Sequence, residues 1–158
     1  LKSSRRLFTR IAAGAIALSV IAACGGGGSS TANTNPDGTP ANTTSSGEPV
    51  FPLLGTPVTD ATAASRVALA AKIDNHPNAR PQSGLNKADI VFEENVESLT
   101  RFAAVFQSQG SDPVGPLRSG RTQDIDILGA YNKPLFAWSG GNYRVTKAIN
   151  ASDLVNVG

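Results

Sequence analysis

Two arginines three positions apart, in Arg118-Ser119-Gly120-Arg121, stand just ahead of a segment with helical spacing. Guanidinium groups present forked N–H donors that match carboxylate or phosphate oxygens. The start of a helix adds unpaired backbone N–H groups and partial positive charge. The chemistry permitted is anion binding by Arg118, Ser119 and Arg121. The competing reading is structural, with the same arginines pairing to Asp74, Glu93, Glu94 or Glu97. A second turn, Ser139-Gly140-Gly141-Asn142, has the composition of a strand-to-helix connection. Gly140 and Gly141 there would let backbone approach a ligand, and the two turns would reinforce each other if they shared one sheet edge. Asp74, Asn75 and Glu93 form an acidic and amide set able to hold a hard cation or act as a base; the alternative for Asp74 is an Asx-turn. Arg80 and Arg101 are further charged candidates. His76, the one histidine, lies between Asn75 and Pro77 and reads as a turn residue, so no metal site and no cofactor is expected. No nucleophile elbow or Walker loop occurs, and whether the chain is an enzyme stays open.

Cys24 is the one cysteine. Lys2, Arg5, Arg6 and Arg10 precede an uncharged stretch from Ile11 to Ala23, and Gly25 follows the cysteine. This order of charged region, short apolar region and small residues is that of a secretory signal. Its ending in Ile21-Ala22-Ala23-Cys24 reads as a lipobox, in which Cys24 carries lipid and becomes the mature N-terminus. A retained span is the alternative, but thirteen apolar residues fall short of the roughly 20 that cross a bilayer. Residues 1–23 are thus expected to be a signal peptide, and the membrane, through N-terminal lipid, the first partner. The expected location is the extracytoplasmic face of a bacterial cell membrane.

Removing the leader removes four basic residues, leaving 10 basic and 12 acidic side chains from Cys24 to Gly158 and a net charge of −2. Nucleic acid is excluded on that balance, since phosphate-backbone binding needs clustered positive charge. Residues 25–50 are Gly, Ser, Thr, Asn or Pro at 21 of 26 positions. Such a composition buries too little apolar surface to offset chain entropy. Residues 24–50 are therefore expected to be a disordered tether, with a root-mean-square reach of about 28 Å.

Residues 51–158 are the expected folding unit. Arg66 to Ile73 reads as a buried strand running into a loop. Ala88 to Val96 and Thr100 to Gln107 alternate as two strands joined at Glu97-Ser98. The spacing then changes, predicting a helix over Arg121 to Tyr131, a strand over Pro134 to Trp138 and a helix over Tyr143 to Asn150. The fold class that follows is α/β or α+β, a mixed sheet with helices packed on it. The end at Asp153-Leu-Val-Asn-Val-Gly158 lacks a polar tail, and the domain is expected to be truncated on its C-terminal side.

Four blocks carry a family resemblance: Ile73-Asp-Asn-His-Pro77 with Arg80-Pro-Gln-Ser-Gly-Leu85; Ala88-Asp-Ile-Val-Phe-Glu93; Thr100-Arg-Phe102; and Val114-Gly-Pro-Leu-Arg-Ser119. In this order they resemble the YerB-like family of bacterial lipoproteins, over essentially all of residues 52–158. The resemblance implies the N-terminal half of a two-domain protein at the cell surface, and no assigned reaction. Gly120-Arg121-Thr122 stands where the family has Ala-Arg-Pro, which weakens the helix start while keeping the arginine. The function expected is a binding or scaffold module of the cell envelope. The alternative is an enzyme or binder acting on a phosphorylated envelope intermediate, or on another cell-wall ligand, through arginines and carboxylates.

Overall fold

The computed structural model describes residues 34–35, 38, 41–44 and 47–158. The expected signal peptide, Cys24 and much of the expected tether lie outside the described residues. Five strands form one sheet: β1 (Leu69–Asp74), β2 (Ile90–Val96), β3 (Leu99–Phe106), β4 (Leu135–Ala137) and β5 (Val155–Asn156). Their order is β2-β3-β1-β4-β5. The β2–β3 and β3–β1 pairs are antiparallel, whereas β1–β4 and β4–β5 are parallel. The helices are α1 (Ala61–Ala64), α2 (Gln123–Leu128) and α3 (Tyr143–Asn150). This is the expected mixed sheet with helices on it, of α+β character.

Local sequence explains the elements. The β2–β3 hairpin closes at Glu97-Ser98, where Glu97 takes φ 60°, the positive φ characteristic of tight hairpin turns. Asn142 caps α3 by accepting a hydrogen bond from the Val145 N–H at 3.0 Å, satisfying one of the unpaired donors of the first turn. α2 is shorter than its spacing predicts. Its last turn tightens into a 3-10 turn at Gly129–Tyr131, and Asn132, at φ 49°, ends it in the left-handed region. α1 and β5 were not expected. The C-terminal carbonyls of α1, Ala63 and Ala64, accept from Gln107 Nε2. β5 is held by Val155 N–H to the Pro134 carbonyl and by Trp138 Nε1 to Asn156 Oδ1 at 2.8 Å.

Both faces of the sheet are covered. On one, Val105, Phe136 and Trp138 pack against Leu128 of α2 and Val145 and Ile149 of α3. Phe136 and Trp138 stack with ring centroids 5.6 Å apart. On the other, Ala71, Ile73, Ala104 and Phe106 are covered by Leu85, Ala88 and Val114 from the loops. Because strand side chains alternate between faces, strand register orders the helix-side face into rows. Ile90, Val105 and Ala70 form one row, Phe92, Ala103 and Lys72 the next, and Glu94, Arg101 and Asp74 the last. The face therefore grades from apolar to charged toward the C-terminal end of β1.

Candidate functional site

The segment from Pro116 to Gly120 is seated at that charged end. Four backbone hydrogen bonds fix it: Asp74 N–H to the Pro116 carbonyl, Arg118 N–H to Lys72, Ser139 N–H to Arg118 and Gly120 N–H to Gly140. It thus fills the gap beyond the parallel pair β1–β4, at the carboxyl ends of those strands, where open sheets bind ligands. These bonds join the backbone of Arg118 and Gly120 to Ser139 and Gly140; of the sequence-predicted anion residues Arg118 lines the cleft at this end of the sheet, whereas Ser119, Arg121, Gly140 and Gly141 do not. Gly140 uses φ 83°, which a side chain would resist. Gly120 answers a packing demand, since a Cβ there would lie 2.6 Å from Trp138 Cε3.

A cleft of about 180 Å³ opens here, lined by Asp74, Glu97, Ser98, Arg101 and Arg118 among others. Arg118 Nε approaches Asp74 Oδ2 at 3.5 Å, and Asp74 Oδ1 accepts from the His76 N–H. Arg121 Nη2 lies 3.3 Å from Glu97 Oε1, whose side chain is 82% exposed. Arg101 is different. It is 9% exposed and donates from Nη1 to the Ser119 carbonyl at 2.9 Å. Among the described residues no carboxylate pairs with it. Burial lowers the Arg101 guanidinium pKa, and the like charges of Arg121 and Arg118 lower it further, against the opposing pull of Asp74 and Glu97.

The start of α2 is filled from within the protein. Asp124 accepts the Arg121 N–H on Oδ2 at 2.6 Å and Lys72 Nζ on Oδ1 at 2.7 Å. Lys72 Nζ also lies 2.5 Å from Glu94 Oε1, so two carboxylates share one ammonium in a fully enclosed cluster. The Glu94 contact is an ion pair by distance without hydrogen-bond geometry, and neither Glu94 oxygen has a hydrogen-bond partner. Desolvation raises the Glu94 pKa; Lys72 opposes this and Asp124 adds to it. Lys72 and Asp124 were not singled out from sequence as site residues. The available signal was a lysine inside the apolar run Leu69 to Ile73.

Asp74 and Glu93 are not brought together, because they point to opposite faces of the sheet. Glu93 accepts from Thr100 Oγ1 at 2.7 Å, Thr100 Oγ1 accepts from Asn75 Nδ2 at 2.6 Å, and Asn75 Oδ1 accepts from Arg80 Nη2 at 2.8 Å. Arg80, Asn75 and Glu93 thus form a network across the loop side, away from Arg101. His76 Nδ1 accepts from the Asn78 N–H and caps the turn at Pro77–Ala79. Among the described residues no group of three His, Cys, Asp or Glu is placed to hold a metal. A larger cavity of about 690 Å³ beside α1 is lined mainly by Pro49, Val50, Pro52, Val58 and Ala61 and receives none of these charged groups.

Residues 53–157 match the family model described as the N-terminal domain of a protein of unknown function, DUF3048. The chain belongs to this family. It is 42% identical over 91 residues to a Bacillus subtilis (strain 168) protein named "Putative lipoprotein YerB", covering 56% of this chain and 27% of that one. The crystal structure of the YerB protein from Bacillus subtilis superposes with a TM-score of 0.59 at 37% identity, over 67% of this chain and 36% of that one. The chain therefore spans about a third or less of the length of these relatives, and the DUF3048 fold and YerB-like kinship stand together.

Proposed function

We propose that this DUF3048 chain is a lipid-anchored binding module on the extracytoplasmic side of a bacterial cell membrane, with the cleft beside Arg101 and Arg118 as its ligand-facing part. The lipobox at Cys24 and the lipoprotein name of its relative support the anchor. The observation that carries the binding role is the fastening of Pro116 to Gly120 between β1 and the turn after β4. Those four backbone bonds hold Arg118 at the end of the sheet beside Arg101 before any ligand arrives, which is how a preorganised site is built.

A second reading, action on a phosphorylated envelope intermediate, draws on Asp74, the carboxylate beside Arg118 in the cleft. Its commitments to the His76 N–H and to Arg118 favour positioning over proton transfer.

Detergent-phase partition of the chain produced in a bacterial host tests the anchor. The wild type is expected in the detergent phase, whereas Cys24→Ser should appear in the aqueous phase or as uncleaved precursor. A wild type found wholly in the aqueous phase would overturn the proposal.

A further inference from the structure

We propose that the cleft binds a phosphate-class oxyanion seated on Arg101 and flanked by Arg118; this names the ligand of the binding module above and rests on that reading. Arg101 has five N–H donors, and among the described residues one oxygen, the Ser119 carbonyl, accepts from it. The two carboxylates placed opposite it by strand register are both engaged elsewhere. Glu94 turns to Lys72, and Asp74 to Arg118 and the His76 N–H. Burying an ion without a paired countercharge is costly, and Arg118 and Arg121 add like charge beside it. An anion in the cleft would offset both costs.

Size and shape narrow the class. About 180 Å³ is below the roughly 300–1,000 Å³ of pockets that enclose drug-sized molecules, so a head group fits and a large ligand body would remain outside. Two guanidiniums from separate stretches, β3 and the Pro116–Gly120 segment, line the cleft, and a third, on Arg121, pairs with the Glu97 carboxylate at its edge; forks converging from different directions suit an anion with more than two oxygens. A tetrahedral phosphate offers them, whereas a carboxylate offers two in one plane. The acids competing for these arginines are weakly held. The Arg118–Asp74 contact is long, and Glu97 is mostly in solvent, so exchanging either pair for ligand costs little.

Thermal melting of the full chain in detergent, with inorganic phosphate titrated at constant ionic strength, tests this. The melting temperature should rise with occupancy, following the logarithm of 1 + [L]/Kd, and acetate should do markedly less. Arg118→Ala, at a half-exposed position, should melt near the wild type without phosphate and bind phosphate about tenfold or more weakly. Glu97→Gln should bind phosphate more tightly, because it frees Arg121 from a competitor; a purely structural pairing forecasts no such gain. Cosedimentation of the Cys24→Ser chain with phosphatidic acid vesicles, displaced by inorganic phosphate and lost when Arg118→Ala is added, would identify a lipid head group as the source. Phosphate-responsive melting without cosedimentation would identify a soluble phosphate compound. A wild type indifferent to phosphate up to about 10 mM, or a response unchanged in Arg118→Ala, would overturn the proposal. Detergent partition without a phosphate response would remove the ligand class and leave the anchored module intact.

Discussion

Lys72 lies in the middle of β1 with no exposed surface and two carboxylates on its ammonium. Its register partner on β3 is the small Ala103, and its ammonium reaches Glu94 on β2, the strand beyond. Asp124 approaches from α2 and uses its second oxygen on the Arg121 N–H, so one carboxylate joins the sheet core to the loop that carries the arginines. Removing the cation leaves both acids enclosed without compensation. Lys72→Met is expected to destabilise by about 3–5 kcal/mol, the range for breaking a buried pair from one side. Adding Glu94→Gln should recover part of that loss by removing one of the two uncompensated acids. Urea unfolding of the single and double variants reads both effects, and a Lys72→Met chain of wild-type stability would refute the role. Sequence could not show this cluster, because its members are far apart along the chain and a lone lysine in an apolar strand names no partner. Arg101 was visible only as a charged candidate for a similar reason: its burial depends on the segment from Pro116 to Gly120 closing beside it.

At the scale of elements, the parts with several periods were legible. β2 alternates along its length, β3 alternates in its first half before a buried apolar run, and α3 has both a capping Asn142 and its apolar pair Val145 and Ile149. β5 has two residues and α1 four, too few to display a period. The limits of α2 were set by tertiary contacts: Asp124 turns back to Lys72 and Arg121, and the last turn tightens. Least legible was the Pro116–Gly120 segment, which lacks any repeat and is ordered by hydrogen bonds to β1 and to the turn after β4. Its close approach to Trp138 accounts for a glycine at position 120. A methyl group there would press on a buried ring already stacked on Phe136. Gly120→Ala is therefore expected to cost about 1–3 kcal/mol, as overpacking does. It should also weaken ligand binding by shifting the arginine loop. Unfolding measurements check the first effect, and an unchanged or higher stability would show that Trp138 yields without strain.

Over the whole molecule, the net charge of −2 from Cys24 to Gly158 conceals a sorted distribution. Four cations and four acids gather at one end of one sheet face and in the loops against it: Lys72, Arg101, Arg118 and Arg121 with Asp74, Glu94, Glu97 and Asp124. Equal numbers do not make the end pH-indifferent, because burial differs from group to group. Glu94 faces Lys72 and its cross-strand neighbour Arg101 within the sheet, and Asp124 from α2. Its pKa is raised above the ordinary 4.5, chiefly by desolvation. The folded state therefore holds a proton on this group over a pH interval in which the unfolded state has released it. Stability from this source is fully present below the ordinary value and is lost as pH rises through the raised one. Other carboxylates impose slopes of their own, so the informative quantity is a difference. Glu94→Gln imitates the protonated side chain at every pH. Its stability minus that of the wild type should be smallest in acid and increase toward neutral and alkaline pH, then level off once the wild-type carboxyl has ionised in both states. Denaturant unfolding of both chains across the pH range provides the curve. A difference that stays flat, or falls as pH rises, would mean that Lys72 holds Glu94 ionised as readily in the fold as water does in the unfolded chain.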